Sequence, residues 1–316
     1  MIETLKSNLV KLDYGPIQMT IQASCHGQPL IKQQRVAARE AMRLLDELAK
    51  HKHIAALPQA EVGDISELPA ILQKMVAAVR ESGDETLTPM AAVAGSFADL
   101  VADYLVAQGA TKVIINNGGD IAVRLRNNES VAVGLAPALA APFTHVKQIT
   151  AQDGIGGITT SGLGGRSFTK GIATAAVVAA GSAAFADACA TSLGNATYAP
   201  HPNIQRVLAE TLDPNIDIKG HYVVASVGAL PQEIIEKSLR NGWQKAQAWL
   251  SRGQIKGAAI FINHYGVFIP NDFAQPAERT TIGEVNHGTE KLSGLLSLRI
   301  TDDPHAFRRS NWCNTY

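Results

Sequence analysis

The sequence predicts an α+β fold in which mixed and antiparallel sheets pack against helices. Apolar residues at period two come in paired runs separated by turn residues, as hairpins do. Runs at helical period form blocks of their own instead of alternating with single strands, which argues against a doubly wound parallel sheet. The 316 residues are 46% hydrophobic and only 18% charged, enough apolar side chain for a sizeable core.

The elements follow in order. Residues 17–23 alternate Ile17, Met19, Ile21 and Ala23, a strand with one buried face. Residues 36–50 place Ala41, Leu44, Leu45 and Leu48 at helical spacing, with Arg39, Arg43, Asp46 and Glu47 opposite. A second amphipathic helix runs over 65–81 on Leu68, Ile71, Leu72, Met75 and Val79, and Ser82-Gly83-Asp84 turns the chain. Thr88 and Pro89 open a third helix reaching about Gln108. Thr88 suits the N-cap, Pro89 the first helical position, and Gly109 a left-handed exit. Residues 113–116 are a short strand, Asn117-Gly118-Gly119-Asp120 a turn, and 121–125 the next strand, with 131–135 as its hairpin partner across Asn127-Asn128. Residues 159–171 read as a glycine-rich polar loop, 172–180 as an apolar strand, and 185–193 as a helix. Residues 222–227 are a strand. Residues 231–252 are a long helix with Ile234, Ile235, Leu239, Trp243, Ala246 and Leu250 on one face, so Trp243 is expected in the core. Residues 258–263 and 266–269 form the last strand pair.

Composition narrows the function. Lys+Arg and Asp+Glu both number 28, so the chain carries no electrostatic footprint for generic nucleic-acid binding. Cys25, Cys189 and Cys313 are too scattered for a disulfide framework or a zinc knuckle, and they read as free thiols of a reducing compartment. The first residues hold no basic head followed by an apolar run. The most apolar stretch, 171–190, is alanine-rich and carries Asp187, a poor membrane span. The expectation is a soluble, cytoplasmic protein with neither nucleic acid nor membrane as a partner. No linker composition divides the chain, so residues 1–273 are expected as one domain and the polar residues 274–316 as a C-terminal extension. Trp243, Trp249 and Trp312 leave self-association into a homo-oligomer open.

Three segments could carry chemistry. In Asn116-Asn117-Gly118-Gly119-Asp120, two glycines allow a ligand or another backbone close approach, and the flanking polar residues can fix it. The same residues also suit a plain hairpin turn. Thr159-Thr160-Ser161-Gly162-Leu163-Gly164-Gly165-Arg166 combines hydroxyls, backbone amides and one Arg, the parts of an anion cradle, although no P-loop spacing follows. A solvated loop would read alike. In Asp187-Ala188-Cys189-Ala190-Thr191, a helix would set a carboxylate and a hydroxyl on one face, half a shell for Mg²⁺. A dipole-favoured acid and a back-bonded threonine would do the same. His145, His221, His264 and His305 stand isolated, and no zinc spacing or nucleophile elbow occurs.

The three segments occur together and in order, and the combination resembles the ApbE-like superfamily, whose characterised members are FAD:protein FMN transferases. The resemblance rests on the Asn-x-Gly-Gly-Asp-Ile element at 116–121, on Thr160-Ser161-Gly162, and on Asp187-Ala188-Cys189-Ala190-Thr191, within residues 88–197. The chain is similar over nearly its full length to a prokaryotic cytoplasmic branch of that superfamily. That likeness lies in Gly15-Pro16-Ile17, in Thr88-Pro89-Met90-Ala91-Ala92-Val93-Ala94-Gly95, in Gly164-Gly165-Arg166-Ser167-Phe168, in Asn195-Ala196 and in Gly253-Gln254-Ile255. The resemblance implies an ApbE-like, T-fold-like architecture. It also implies Mg²⁺ held by Asp187 and Thr191, with Asp187 and Arg166 as catalytic candidates. FAD or FMN would be held by Asn116, Gly118, Gly119, Asp120, Thr160, Ser161 and Gly162. The activity implied is Mg²⁺-dependent transfer of FMN from FAD to a partner protein, so a nucleotide ligand and a flavoenzyme partner are expected. Asp99 fits the family's helix pattern. Two departures stand out: Ala94 replaces the transferases' Lys before Gly95, and their His-Ile-Asp-Pro segment is missing after the Thr-Ser-Gly loop. They keep two alternatives in play. One is a different reaction in the same cavity on a small anionic substrate. The other is a non-catalytic flavin-binding or maturation partner of a flavoenzyme.

Overall fold

The computed structural model describes residues 1–277 and 299–301. The chain opens with a meander of β1 (Ile2–Lys6), β2 (Leu9–Tyr14) and β3 (Ile17–Cys25). In β3 the expected alternation holds: Ile17, Met19, Ile21 and Ala23 are buried. A short β4 (Gln28–Pro29) leads into α1 (Ile31–Lys50), which buries Ala37, Ala38, Ala41, Leu44 and Leu48, and then a single turn, α2 (Lys52–Ala55). Next comes α3 (Ala70–Ser82). It begins after Pro69 and not at 65, because a proline ring disfavours helical backbone at the residue before it. Gly83 ends it in the left-handed region, at φ +70°.

A 3₁₀ turn (Pro89–Ala92) runs into α4 (Val93–Ala107), and Gly109 exits at φ +89° as expected. Thr88 does not cap this helix; its hydroxyl donates to the Asp217 carboxylate. The chain then forms β5 (Lys112–Asn117), β6 (Asp120–Leu125), β7 (Ser130–Leu135), β8 (His145–Thr150), β9 (Gly157–Ser161) and β10 (Ala175–Ala180). Helix α5 (Ala183–Ala196) is capped by Ser182, whose Oγ accepts from the Phe185 N–H at 3.2 Å. After it come β11 (Ile204–Leu208), the single turn α6 (Ala209–Leu212), β12 (Tyr222–Val227) and α7 (Gln232–Ser251). The described chain closes with β13 (Ile255–Ile262), β14 (Tyr265–Ile269), β15 (Gln275–Pro276) and β16 (Arg299–Thr301).

Among the described residues every strand pair is antiparallel. One large sheet runs β1-β2-β3-β5-β6-β9-β10-β13-β14, with β4 beside β3. Helices cover one of its faces. Leu12, Met19, Ile21, Val113 and Ile115 pack with α1, α3 and α4, while Ala176, Val178, Ala258 and Ile260 pack with α5 and α7. On the other face a smaller sheet, β15-β8-β7-β16, sets Val131, Val133 and Ile149 against Ile114, Ile121, Val123 and Val177. Each such aliphatic, fully buried, contributes about 1.5–3 kcal/mol. The layering explains why 172–180 reads as a continuous apolar run: β10 is buried on both faces. The α+β class is therefore as the sequence predicts.

Four further expectations need correction. Residues 131–135 do not pair with 121–125, because the free edge of β6 is taken by β9, where Ile121 faces Ile158 and Ala122 faces Gly157; β7 pairs with β8 in the second layer. Residues 159–161 are strand and not loop, because Thr159 and Thr160 face Val178 and Val177 across the sheet. The 172–180 strand begins only at Ala175, since the Ile172 and Ala173 amides donate to the Thr197 hydroxyl at 3.0 and 2.9 Å. Trp243 is 41% exposed, whereas Trp249 is buried and its Nε1–H donates to the Ser82 carbonyl at 3.2 Å. The buried stripe of α7 passes through Gly242, where any Cβ would sit 2.6 Å from Ile260, so Trp243 is rotated to the rim. Cys25 is half-buried and Cys189 buried, both free, and burial pushes the Cys189 thiol up. Cys313, Trp312, His305 and most of 274–316 lie outside the described residues.

Candidate functional site

Helices α4 and α5 cross with their N-termini exchanged. The first-turn amides of any helix lack intrahelical partners and carry partial positive charge. Asp99, on α4, supplies acceptors to α5: its Oδ1 accepts from the Ala183 N–H at 3.1 Å and its Oδ2 from the Ala184 N–H at 2.9 Å. Asp187, on α5, answers for α4: its Oδ2 accepts from the Gly95 N–H at 2.9 Å, and the Ala94 N–H adds a second donor. Only a glycine fits at the crossing. A Cβ on Gly95 would overlap the Ala183 carbonyl and lie 2.9 Å from the Asp187 Cβ.

The two carboxylates differ in their surroundings. Asp99 is fully buried and ion-paired: Arg124 Nη2 lies 2.8 Å from its Oδ1, with Lys74 at 3.9 Å. Asp187 is 8% exposed and has no ion-pair partner among the described residues. Burial pushes its carboxyl well above the usual range, and the nearby Asp120 adds repulsion, against the pull of the Gly95 and Ala94 amides. Burial likewise raises Asp120 to about 7, opposed by the Thr160 N–H, which donates to its Oδ1 at 3.2 Å, and by the charge of Arg166.

The β5–β6 hairpin brings Asp120 here. Gly118 and Gly119 form its two-residue turn at φ +70° and +110°, a conformation that favours glycine, with Asn117 paired to Asp120. The Asn116 Oδ1 accepts from the Gly119 N–H at 2.9 Å and stiffens the turn. Asn117 ties it to α4 by donating from Nδ2 to the Ala94 carbonyl at 3.1 Å, which leaves its buried Oδ1 without a partner. The Arg166 guanidinium lies over Gly118, where a Cβ would overlap it, and Nη1 donates to the Pro16 carbonyl at 2.9 Å. Thr191 stands one turn beyond Asp187, its Oγ1 3.5 Å from the Ala91 carbonyl oxygen.

Of the sequence-predicted site residues, Asp187, Thr191, Asp120, Asn116, Gly118, Gly119 and Arg166 therefore sit around the start of α4 and the hairpin turn. Thr160 and Ser161 lie on β9, and Gly162 follows that strand. The Thr160 amide, expected as part of an anion cradle, is already engaged by Asp120. Sequence reasoning missed the Asp99–Arg124 pair, since nothing links residues 25 apart on different elements. It also missed Ala91, whose contribution is a backbone oxygen. His221, read as isolated, sits in the field of Lys170, Asp217 and Glu210. Among the described residues no three His, Cys, Asp or Glu side chains gather as a metal site, so any cation here would need hydroxyl or carbonyl oxygens besides carboxylate.

Comparison with known proteins gives the following likenesses. A family model described as AbpE bacteria matches residues 2–275. A UPF0280 protein of Methanococcoides burtonii is 34% identical over 173 residues, which cover 53% of this chain and 70% of the relative. A UPF0280 protein of Methanothermobacter thermautotrophicus is 32% identical over 204 residues, 62% of this chain and 77% of the relative. Among solved structures, the apo flavinyl transferase ApbE of Pseudomonas stutzeri is 13% identical at a TM-score of 0.46, covering 87% of this chain and 94% of that one. The flavin transferase ApbE of Vibrio cholerae is 17% identical at a TM-score of 0.31, covering 75% of this chain and 73% of that one.

Proposed function

The chain belongs to the ApbE-like family described as AbpE bacteria, and from that premise we propose that it binds a flavin nucleotide with Mg²⁺ and transfers FMN from FAD to a hydroxyl of a partner protein. The observation that carries this reading is the buried pair of Asp187 and Asp120, which repel one another, with, among the described residues, Asp187 in no ion pair and only the exposed Arg166 as a charge pulling on Asp120. Folding alone does not require such a pair, and a divalent cation relieves it.

The donor set suits Mg²⁺. It takes hard oxygen ligands, commonly one or two carboxylates with waters and substrate phosphates. Asp187 and the Thr191 hydroxyl would hold it, with the Ala91 carbonyl oxygen beside them. When bound, the ion supplies neutralisation of charge on phosphate oxygens. The chain's own residues do the rest. The α4 amides fix the Asp187 carboxylate, the Asn116-stiffened turn presents backbone without side-chain bulk, and Arg166 covers the turn from outside. In the transfer, an acceptor hydroxyl oxygen bonds to the FMN phosphorus, the P–O bond to AMP breaks, AMP leaves, and the hydroxyl proton is released.

In this reading the acceptor is a flavoenzyme, residues 1–273 act as one domain, and the protein works in the cytoplasm, without nucleic acid or membrane. A second reading, a different reaction on a small anionic substrate in the same place, rests on the exposed Arg166 guanidinium over Gly118. The Thr160 amide, engaged by Asp120, is free for neither a phosphate nor another anion.

Calorimetric titration of FAD and of FMN, with and without Mg²⁺, beside an Asp187→Ala variant, tests the proposal. FAD binding that needs Mg²⁺ and is lost in the variant is expected. No binding of either flavin would end the flavin reading, and small anionic substrates would be screened next.

A further inference from the structure

A second polar cluster lies along the same helices, beyond Thr191 beside the last turn of α5. The segment before β10 is pinned there: the Lys170 amide donates to Asn195 Oδ1 at 2.8 Å and the Thr169 hydroxyl to the same atom at 3.4 Å. The Thr169 carbonyl accepts from the Val224 N–H at 2.9 Å, and Val224 lies opposite Arg206 across the β11–β12 pair, so Lys170 is set beside Arg206; Asp84, Lys245, Asp217 and His221 act on the same place. The acids are already engaged. Asp84 accepts from Lys245 Nζ at 2.8 Å, from Thr86 Oγ1 at 2.7 Å and from the Ser192 hydroxyl, and Asp217 accepts from the Thr88 hydroxyl.

Two cations are not so engaged. The half-buried Lys170 ammonium has no hydrogen bond or ion pair among the described residues. Arg206 is sandwiched, its Cζ 4.4 Å from the Tyr198 ring centroid and 5.6 Å from that of Tyr222. Its Nη2 donates to the Tyr222 carbonyl at 2.8 Å, but its buried Nε has no partner. Three cations thus meet two carboxylates. Burial pushes the Lys170 amine below the usual lysine range, and Arg206 and Lys245 add to that against the pull of Asp84 and Asp217.

We propose that Lys170 and Arg206 form an anion subsite, which takes a phosphate or carboxylate group at the far end of the ligand held at Asp187. The ligand's identity rests on the function proposed above; the subsite does not. Asp187 and Asn195 are eight residues apart on α5, about 12 Å at 1.5 Å per residue. With Mg²⁺ at Asp187 as proposed above, the ligand would be elongated, with an anionic group at each end.

The test titrates inorganic phosphate and, separately, malonate, without Mg²⁺, into the wild-type chain and the Lys170→Gln, Lys170→Arg and Asp187→Ala variants. Wild type and Asp187→Ala are expected to bind alike. Lys170→Gln should weaken binding about tenfold and Lys170→Arg should hold it within about threefold, as loss and retention of one charge-assisted hydrogen bond require. The tighter of the two anions names the group. Binding of neither, or a Lys170→Gln variant that binds like wild type, overturns the subsite. Loss of Mg²⁺-dependent FAD binding as a reading, with Lys170-dependent phosphate binding intact, would sink the proposed function and leave the subsite standing. If Lys170→Gln fails to fold, the wild-type chain is labelled with pyridoxal 5′-phosphate and borohydride. A Lys170 adduct that phosphate suppresses supports the subsite; no adduct there, or no suppression, overturns it.

Discussion

Asp99 and Asp187 meet the same need from opposite sides of one helix crossing, each giving its carboxylate to the amides of the other's helix. Their neighbours divide them. Asp99 faces Arg124 at 2.8 Å, and its charge is balanced inside the protein. Asp187 faces Asp120, and its charge is not. Capping a helix needs an acceptor oxygen, which a neutral side chain can also supply. A carboxyl there is therefore more than the capping requires, and on the proposed function it is the half of the crossing that would hold the cation.

The largest effect should come from breaking the balanced half. Asp99→Asn keeps only one of the two oxygens that serve the α5 amides and takes from Arg124 its buried partner, leaving it the half-exposed Asp103 at 2.8 Å, so the loss should lie at the lower end of the about 3–5 kcal/mol that breaking a buried pair costs. Asp187→Asn, measured by urea unfolding without metal at pH 7.5, should cost nothing or stabilise, because it removes a repulsion and keeps the Gly95 bond. If the two variants lose stability equally, the comparison is wrong and Asp187 is structural.

Next in size is the crossing itself. Gly95→Ala drives a Cβ into the Ala183 carbonyl, and overpacking of this kind costs about 1–3 kcal/mol. Because Gly95 is also the donor to Asp187, Mg²⁺-dependent FAD binding should weaken in the same variant. A fall in melting temperature with binding unchanged would separate the crossing from the site.

Acidity sharpens the contrast. Asp120 is raised to about 7 in the fold, so the folded chain holds a proton that the unfolded chain gives up near pH 4. Stability contributed by that proton is complete below pH 4 and is lost as pH climbs through 7. His145 and His221, both lowered by burial, give the opposite slope near their own titration. The readout is therefore the difference between wild type and Asp120→Asn. Without metal, wild type should fall by about 5 °C more than the variant between pH 5 and 7.5. Mg²⁺ should restore most of that at pH 7.5. Equal slopes in the two proteins would mean that no such proton exists.

How much of this the sequence discloses depends on whether the signal is local. Alternation in β3, the stripe of α1, and the Gly118-Gly119 turn are short-range patterns, and they read correctly. Asp187 and Thr191 read correctly as one face of a helix because four residues make one turn. The pairing of β7 with β8 was not legible, since it depends on β9 occupying the β6 edge, a choice made across the sheet. Thr160 reads as loop because hydroxyls and glycines suit one, while the fold buries it beside Val177. Asp120 and Asp187 lie 67 positions apart in the chain, and their repulsion exists only once the hairpin and α5 are packed. The residues were visible; the charge imbalance that gives them meaning was not.

The smallest effect on stability separates the two halves most cleanly. Thr191 Oγ1 reaches the Ala91 carbonyl at 3.5 Å, at the limit of a hydrogen bond, so the hydroxyl contributes little to the fold. Thr191→Val keeps the volume and removes the oxygen. It should change unfolding free energy by less than about 1 kcal/mol, the worth of one ordinary hydrogen bond. If the hydroxyl is one of the oxygens that hold Mg²⁺ beside Asp187, the same change should weaken Mg²⁺-dependent FAD binding by about tenfold or more, as loss of groups at metal sites does. Calorimetry with Mg²⁺ and with EDTA reads one quantity, and urea unfolding reads the other. A variant that unfolds more easily but binds Mg²⁺ as before would make Thr191 a packing residue. The surplus charge at Asp187 would then need a different partner from the one its helix face presents.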